Sequence, residues 1–126
     1  MTIITIYAKA GVTIPRNRLV RLTGNRAGML WEADLPSAGG NRAHAIALPG
    51  PSGTITDKVF GQACTFGPLV EVELAAAVNF DDALTVSADG RAQKAKRTDR
   101  NRTAIALAKM GSGSVCPVLL GWSQFP

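Results

Sequence analysis

With a single histidine, two cysteines and aromatics at only 6% of its residues, this chain is poor in the side chains that most often carry chemistry. One histidine excludes a histidine-rich metal site. Cys64 and Cys116 lie outside any C-x-x-C spacing and have no second type of metal ligand beside them. Neither a zinc cluster nor a disulfide framework is expected, and both should be buried free thiols. The opening residues Met1-Thr2-Ile3-Ile4-Thr5-Ile6-Tyr7 lack the basic region, long apolar stretch and cleavage site of a signal peptide, and are too short to span a bilayer. Synthesis in a cytoplasm and no membrane partner are the expectations. Gly111-Ser112-Gly113-Ser114 lacks the Lys-Ser/Thr and the following helix of a phosphate-cradling loop and reads as a turn. No cofactor and no metal are expected. The shortage of large aromatics also implies a thin core of Val, Ile and Leu, which oligomerisation would help.

What the chain does have is repetition. Asn41-Arg42-Ala43-His44-Ala45-Ile46-Ala47-Leu48 and Asn101-Arg102-Thr103-Ala104-Ile105-Ala106-Leu107-Ala108 are near copies, each set between a preceding short strand and a following Gly-rich turn. Two similar β units in one body are the simplest reading. Residues 1–10 alternate β-branched and polar side chains, as an edge strand or an extended arm would, and residues 11–126 make a single β domain. In the clearest strand, residues 69–74, Val70, Val72 and Leu74 share one face and Glu71 and Glu73 the other. Turns are expected at Thr23-Gly24-Asn25, at Gly67-Pro68 and at Ala88-Asp89-Gly90, where Asp-Gly readily takes positive φ. Short strands about eight to twelve residues apart predict an all-β fold, a β-sandwich or jelly-roll-like small barrel of two similar halves, with no long helix.

Reaction chemistry finds little support. His44 has no nucleophile with a recognisable signature near it, and a histidine placed mid-strand for packing is far more common than a catalytic one. Asp81 and Asp82 are adjacent, so on a strand they point apart and make a poor acid/base pair; shaping the loop after Phe80 is the plainer role. Charge is more informative. The net charge is +5, and residues 91–109 hold Arg91, Lys94, Lys96, Arg97, Arg100, Arg102 and Lys109 against the one acid Asp99. Such a segment is a solvated face, a nucleic-acid contact, or a dock for an acidic protein surface. Single-strand binders interleave stacking aromatics with their charges, and none occurs between Asp81 and Leu120. Nucleic acid is therefore the alternative, a small basic β-barrel, and not the first reading.

The order of signals carries a resemblance. Ala10-Gly11-Val12, the strand at residues 69–74, Val78-Asn79-Phe80-Asp81-Asp82-Ala83-Leu84-Thr85-Val86, Ala88-Asp89-Gly90-Arg91-Ala92, Ala104-Ile105-Ala106-Leu107 and Gly113-Ser114-Val115-Cys116-Pro117-Val118-Leu119 follow one another in that order. The chain resembles the capsid cement, or decoration, proteins of tailed bacteriophages, although Asp81-Asp82 stands where the family has Gly-Asp and Ala104-Ile105-Ala106 lacks the family's glycine. The resemblance implies a non-enzymatic protein on the outer surface of an icosahedral head in the virion. It would bind the major capsid protein as a dimer or trimer and bridge neighbouring subunits. In that setting Ile3, Ile4, Ile6 and Tyr7 form an arm for strand addition to a neighbour, so that deleting residues 1–8 should leave a folded protein that no longer decorates heads. Arg16, Arg18, Arg91, Lys94, Lys96, Arg97, Arg100 and Arg102 supply charged docking. Trp122 and Phe125, with Trp31, are apolar anchors at an oligomer or capsid contact, or core residues.

Overall fold

A computed structural model of the chain describes residues 2–39, 41–99 and 101–120, with the side chains of all of these except residues 66–69. Eleven strands follow in order: β1 (Thr2–Ala8), β2 (Ile14–Pro15), β3 (Leu19–Ala27), β4 (Leu30–Asp34), β5 (Ala45–Ala47), β6 (Thr54–Ile55), β7 (Gly61–Glu73), β8 (Ala83–Val86), β9 (Ala92–Lys94), β10 (Ala104–Ala106) and β11 (Val115–Leu120). Among the described residues there is no helix. The protein is all-β, as its alternation and turn spacing predict.

The strands β1-β4-β3-β5-β7 close on themselves: β7 pairs antiparallel with both β5 and β1, and β1 pairs parallel with β4. The strands β7-β11-β10-β8-β9 repeat this plan. Here β9 meets the end of β7 through a parallel bridge between Leu74 and Ala92, and the Ala75 N–H donates to the Ala92 carbonyl at 2.8 Å. Long β7 is thus the last strand of one unit and the first of the next.

The two units agree residue by residue. In the first, Ile46 stands between Leu19 and Cys64. In the second, Ile105 stands between Ala83 and Leu119. Ile6 opposite Gly61 matches Val72 opposite Cys116, and Ala8 beside Ala33 matches Leu74 beside Ala92. The small β2–β6 pair has its counterpart in the bridge between Val78 and Met110. Even the non-glycine residues at positive φ among those described correspond, Asn17 at 60° and Asp81 at 72°. Each donates its N–H to the last residue of the central strand, Ala47 at 2.8 Å and Ala106 at 2.7 Å. The duplication seen in two octapeptides therefore governs the whole hydrogen-bond plan.

Packing explains the repeated Ala-Ile-Ala. A five-stranded barrel has a narrower bore than the eight-stranded ones that side chains comfortably fill. Its interior here is Ile6, Ala8, Ile14, Val20, Ala33, Ala45, Ala47, Ile55 and Ala63. Five of these nine are alanine, so the bore of this barrel takes methyl groups where larger side chains would not fit. The largest fully buried side chains of the domain are mainly Ile, Leu and Val, as expected. Ile46, between two inward alanines, points out of the first barrel. With Leu19 and Cys64 it joins the cluster built by Val72, Leu84, Val86, Val118 and their neighbours in the second unit. The alternating faces of β5 thus serve two cores.

Three expectations are corrected. The N-terminal segment is not an arm, because β1 is built into the barrel wall: residues 2–6 pair with β7 and residues 6–8 with β4, Ile6 meeting both Gly61 and Trp31. Only the stretch 2–5 keeps the edge character expected of it. Deleting residues 1–8 would open the barrel wall and not release an appendage. Gly67-Pro68 does not reverse the chain but lies inside β7, where pairing passes from β1 to β11 with a shift of register, so no regular ladder needs the missing proline N–H. Thr23-Gly24-Asn25 is a bulge, with Gly24 at φ 94° and the β3–β4 register shifting between Leu22 and Arg26; the strand reverses at Gly28 and Met29.

Candidate functional site

The basic residues singled out by the sequence divide into two groups. Arg16, Arg18 and Arg91 hold the fold. Arg16 clamps the loop at residues 49–53, donating from Nε to the Ser52 carbonyl at 2.9 Å, from Nη1 to the Leu48 carbonyl at 3.1 Å and from Nη2 to Ser52 Oγ at 2.8 Å. Arg18 and Arg91 converge on the seam between the units. Arg18 Nη2 lies 3.2 Å from Glu73 Oε2, its Nη1 donates to the Asp89 carbonyl at 2.9 Å, and Arg91 Nε donates to Asp89 Oδ2 at 2.7 Å. The hydrogen bond from Arg91, helped by the Ser87 hydroxyl, holds the Asp89 carboxyl well below the usual aspartate range. These charges join the start of β3, the end of β7 and the β8–β9 hairpin, and are committed inside the chain.

Lys94, Lys96, Arg97 and Arg102 form the second group. Lys94 is 65% exposed, its Nζ 3.8 Å from Asp82 Oδ1. Lys96 and Arg97 are exposed on a loop that is pinned from within. The Lys96 N–H donates to Asp99 Oδ2 at 2.7 Å, Arg102 Nη2 donates to the Lys96 and Arg97 carbonyls at 3.3 and 3.4 Å, and the Thr85 hydroxyl donates to the Asn101 carbonyl at 2.6 Å. A loop held this way presents its cations outward at little further entropic cost. Arg100 lies outside the described residues, as do Trp122 and Phe125.

Of the apolar candidates, Ile6 is fully buried inside the first barrel, out of reach of any partner, and Ile4 is half-buried against the same core. Tyr7 packs edge-on against Phe60, ring centroids 6.4 Å apart, and Ile3 is 46% exposed. Trp31 is a packing residue: it lies against the barrel core, and the Arg26 guanidinium covers its ring at 4.4 Å. A surface that composition and charge did not reveal is the outer side of β10 and β11. Leu119 and Val115 are 37% and 38% exposed there, and Ala83, Ile105 and Pro117 lie half-buried beside them. The repeat was the available signal, because Ile105 occupies the position of Ile46.

His44 acts as an acceptor. Its Nδ1 receives the Leu22 N–H at 3.0 Å, and burial, with Arg42 and Arg21 nearby, pushes its pKa below the ordinary value of 6.5. Between those two values the unfolded chain takes up a proton that the folded chain refuses, so acidification favours unfolding. Urea midpoints are expected to fall between about pH 7.5 and about pH 5, and less steeply in His44→Asn, which keeps an acceptor but cannot titrate. Equal slopes would contradict the role. Cys64 and Cys116 are buried and not joined in a disulfide, Cys116 with its pKa raised by burial. Among the described residues no three His, Cys, Asp or Glu side chains come together as metal ligands. Two open grooves, of about 350 and 340 Å³, run beside Val78 and Met110 and beside Pro49, Pro51 and Phe60.

Two five-stranded units fused through one strand define the class of fold. It is the fold seen in the crystal structure of the head fiber gp8.5 N base of bacteriophage phi29, which matches with a TM-score of 0.72 over 95% of this chain and 93% of that one, at 15% sequence identity. No protein-family model matches the chain, and no curated protein does.

Proposed function

We propose that this protein is a non-enzymatic structural component of a bacteriophage head, bound as an oligomer to the outer surface of the shell, where it stabilises contacts between capsid subunits. The observation that carries the reading is the fold shared with a head-fiber base along almost the whole chain. The residues add a physical rationale. Arg18 and Arg91 are paired within the chain, on the seam, while Lys94 at the end of β9 and Lys96 and Arg97 on the braced loop stand outward. A protein that binds the assembled lattice and not its free subunits stabilises that lattice by mass action, without any bond made or broken.

Purified protein mixed with undecorated heads should appear as regular features on the shell by electron microscopy. Lys96→Glu combined with Arg97→Glu should weaken binding about tenfold or more, since reversing rim charges removes attraction and adds repulsion. Salt should weaken the wild-type complex and affect the variant less. Absence of wild-type binding to heads, together with tight, salt-steep binding to single-stranded DNA, would replace this reading with the nucleic-acid one.

A further inference from the structure

We infer that the outer face formed by Ala83, Ile105 and Leu119 is the surface on which a second copy of this chain docks, presenting its β3–β4 hairpin. The inference rests on the oligomer of the proposed function and names its interface.

The first unit shows what happens to this face. Leu19, Ile46 and Cys64 are the register equivalents of Ala83, Ile105 and Leu119, and all three are fully buried. What covers Leu19 is the β8–β9 hairpin of the second unit: the Leu19 N–H donates to the Gly90 carbonyl at 2.7 Å, and the hairpin sits so close that a Cβ on Gly90 would lie 2.6 Å from the Leu19 carbonyl oxygen. Within one chain the second unit therefore caps the first, and the second unit's own face is left with Leu119 and Val115 more than one-third exposed. None of Ala83, Ile105, Val115, Pro117 and Leu119 carries a charge, so the face suits apolar packing and not the charged docking assigned to the basic loop.

A neighbouring copy holds the counterpart of the capping hairpin. By the same register β3–β4 corresponds to β8–β9, with Ala33 in the place of Ala92. Its turn, Gly28 and Met29, projects from the barrel, Gly28 at φ 63° where Gly90 has 86°, and Met29 is 83% exposed. Repeating the contact between units from one chain to the next gives a head-to-tail association, which closes as a ring if the rotation allows.

Sedimentation of the full chain, without heads, tests this. Wild type should form a discrete oligomer. Ile105→Lys with Leu119→Lys, and separately Met29→Lys, should each raise the dissociation constant about 100-fold or more, with native-like circular dichroism and a cooperative urea transition at low protein concentration confirming that they fold. Val59→Lys, elsewhere on the surface, should leave the oligomer intact. Mixing the two defective proteins should restore association, because one supplies an intact hairpin and the other an intact face. Failure to complement, or an oligomer that survives the Ile105 and Leu119 changes, overturns the interface while leaving head binding, measured separately, to stand. A wild type that stays monomeric while Leu119→Lys lowers fold stability also overturns it, by showing that the chain covers the face itself.

Discussion

Ile46→Ala should lower the unfolding free energy by about 3 kcal/mol, while Ile105→Ala, the same change in the same Ala-Ile-Ala context, should cost the monomer about 1 kcal/mol or less. Helix and strand propensities cannot separate the two, since both isoleucines sit between alanines at the centre of three-residue strands. Burial does. Ile46 has no exposed surface and is enclosed by the cluster joining the barrels, so truncation leaves a cavity that the surrounding strands can only partly close. Ile105 is half-buried on an outer face, and truncation mostly trades contact with water for contact with water. Urea unfolding at low protein concentration checks this, with equal m-values required for a fair comparison. Equal losses at the two sites would mean that the second unit's face is covered as thoroughly as the first's. A cost at Ile105 that grows with protein concentration would instead locate its partner on another molecule.

The all-β character, the duplication and the Asp89-Gly90 hairpin were legible because each is written in local pattern. Alternation marks strands, and Gly90 does take the positive φ that a tight reversal needs. The sharing of β7 was not legible. Gly67-Pro68 carries the composition of a turn, and only the passage of pairing from β1 to β11 at that point lets the strand run through it. The N-terminal run misled for a related reason: alternation says that a strand exists and says nothing of how many neighbours it has. Parallel pairing with β4 is a long-range decision of the barrel. Among the basic residues, sequence could count charges but not pair them. Glu73 and Asp89 lie 55 and 71 positions from Arg18, and only the closed second unit brings all three to one seam. The open face escaped notice because its residues are ordinary: an alanine, an isoleucine and a leucine become informative only when their equivalents are seen to be buried.

Gly90→Ala should cost about 3 to 4 kcal/mol, a large share of the stability of a domain this size. Two effects add. An alanine at φ 86° is strained by about 1 to 2 kcal/mol relative to glycine. The second effect is specific to this position: the new Cβ would lie 2.6 Å from the Leu19 carbonyl oxygen and 3.0 Å from Leu35 Cδ2. The first of these neighbours is backbone in the wall of a barrel and cannot swing aside, so the hairpin must lift. Lifting stretches the Leu19 N–H to Gly90 hydrogen bond and pulls Asp89 away from Arg18, whose guanidinium is largely shielded from water. Gly113→Ala isolates the backbone part, because Gly113 has a similar φ of 80° with open space where its Cβ would go; about 1 kcal/mol is expected there. The excess at Gly90 then measures the seam between the units. Because that seam, with β7 and the cluster around Ile46, couples the two units, the Gly90 variant should also unfold over a broader denaturant range, with the second unit losing protection from hydrogen exchange before the first. Matched losses in the two glycine variants would show that the hairpin rests on the first barrel without bearing its weight.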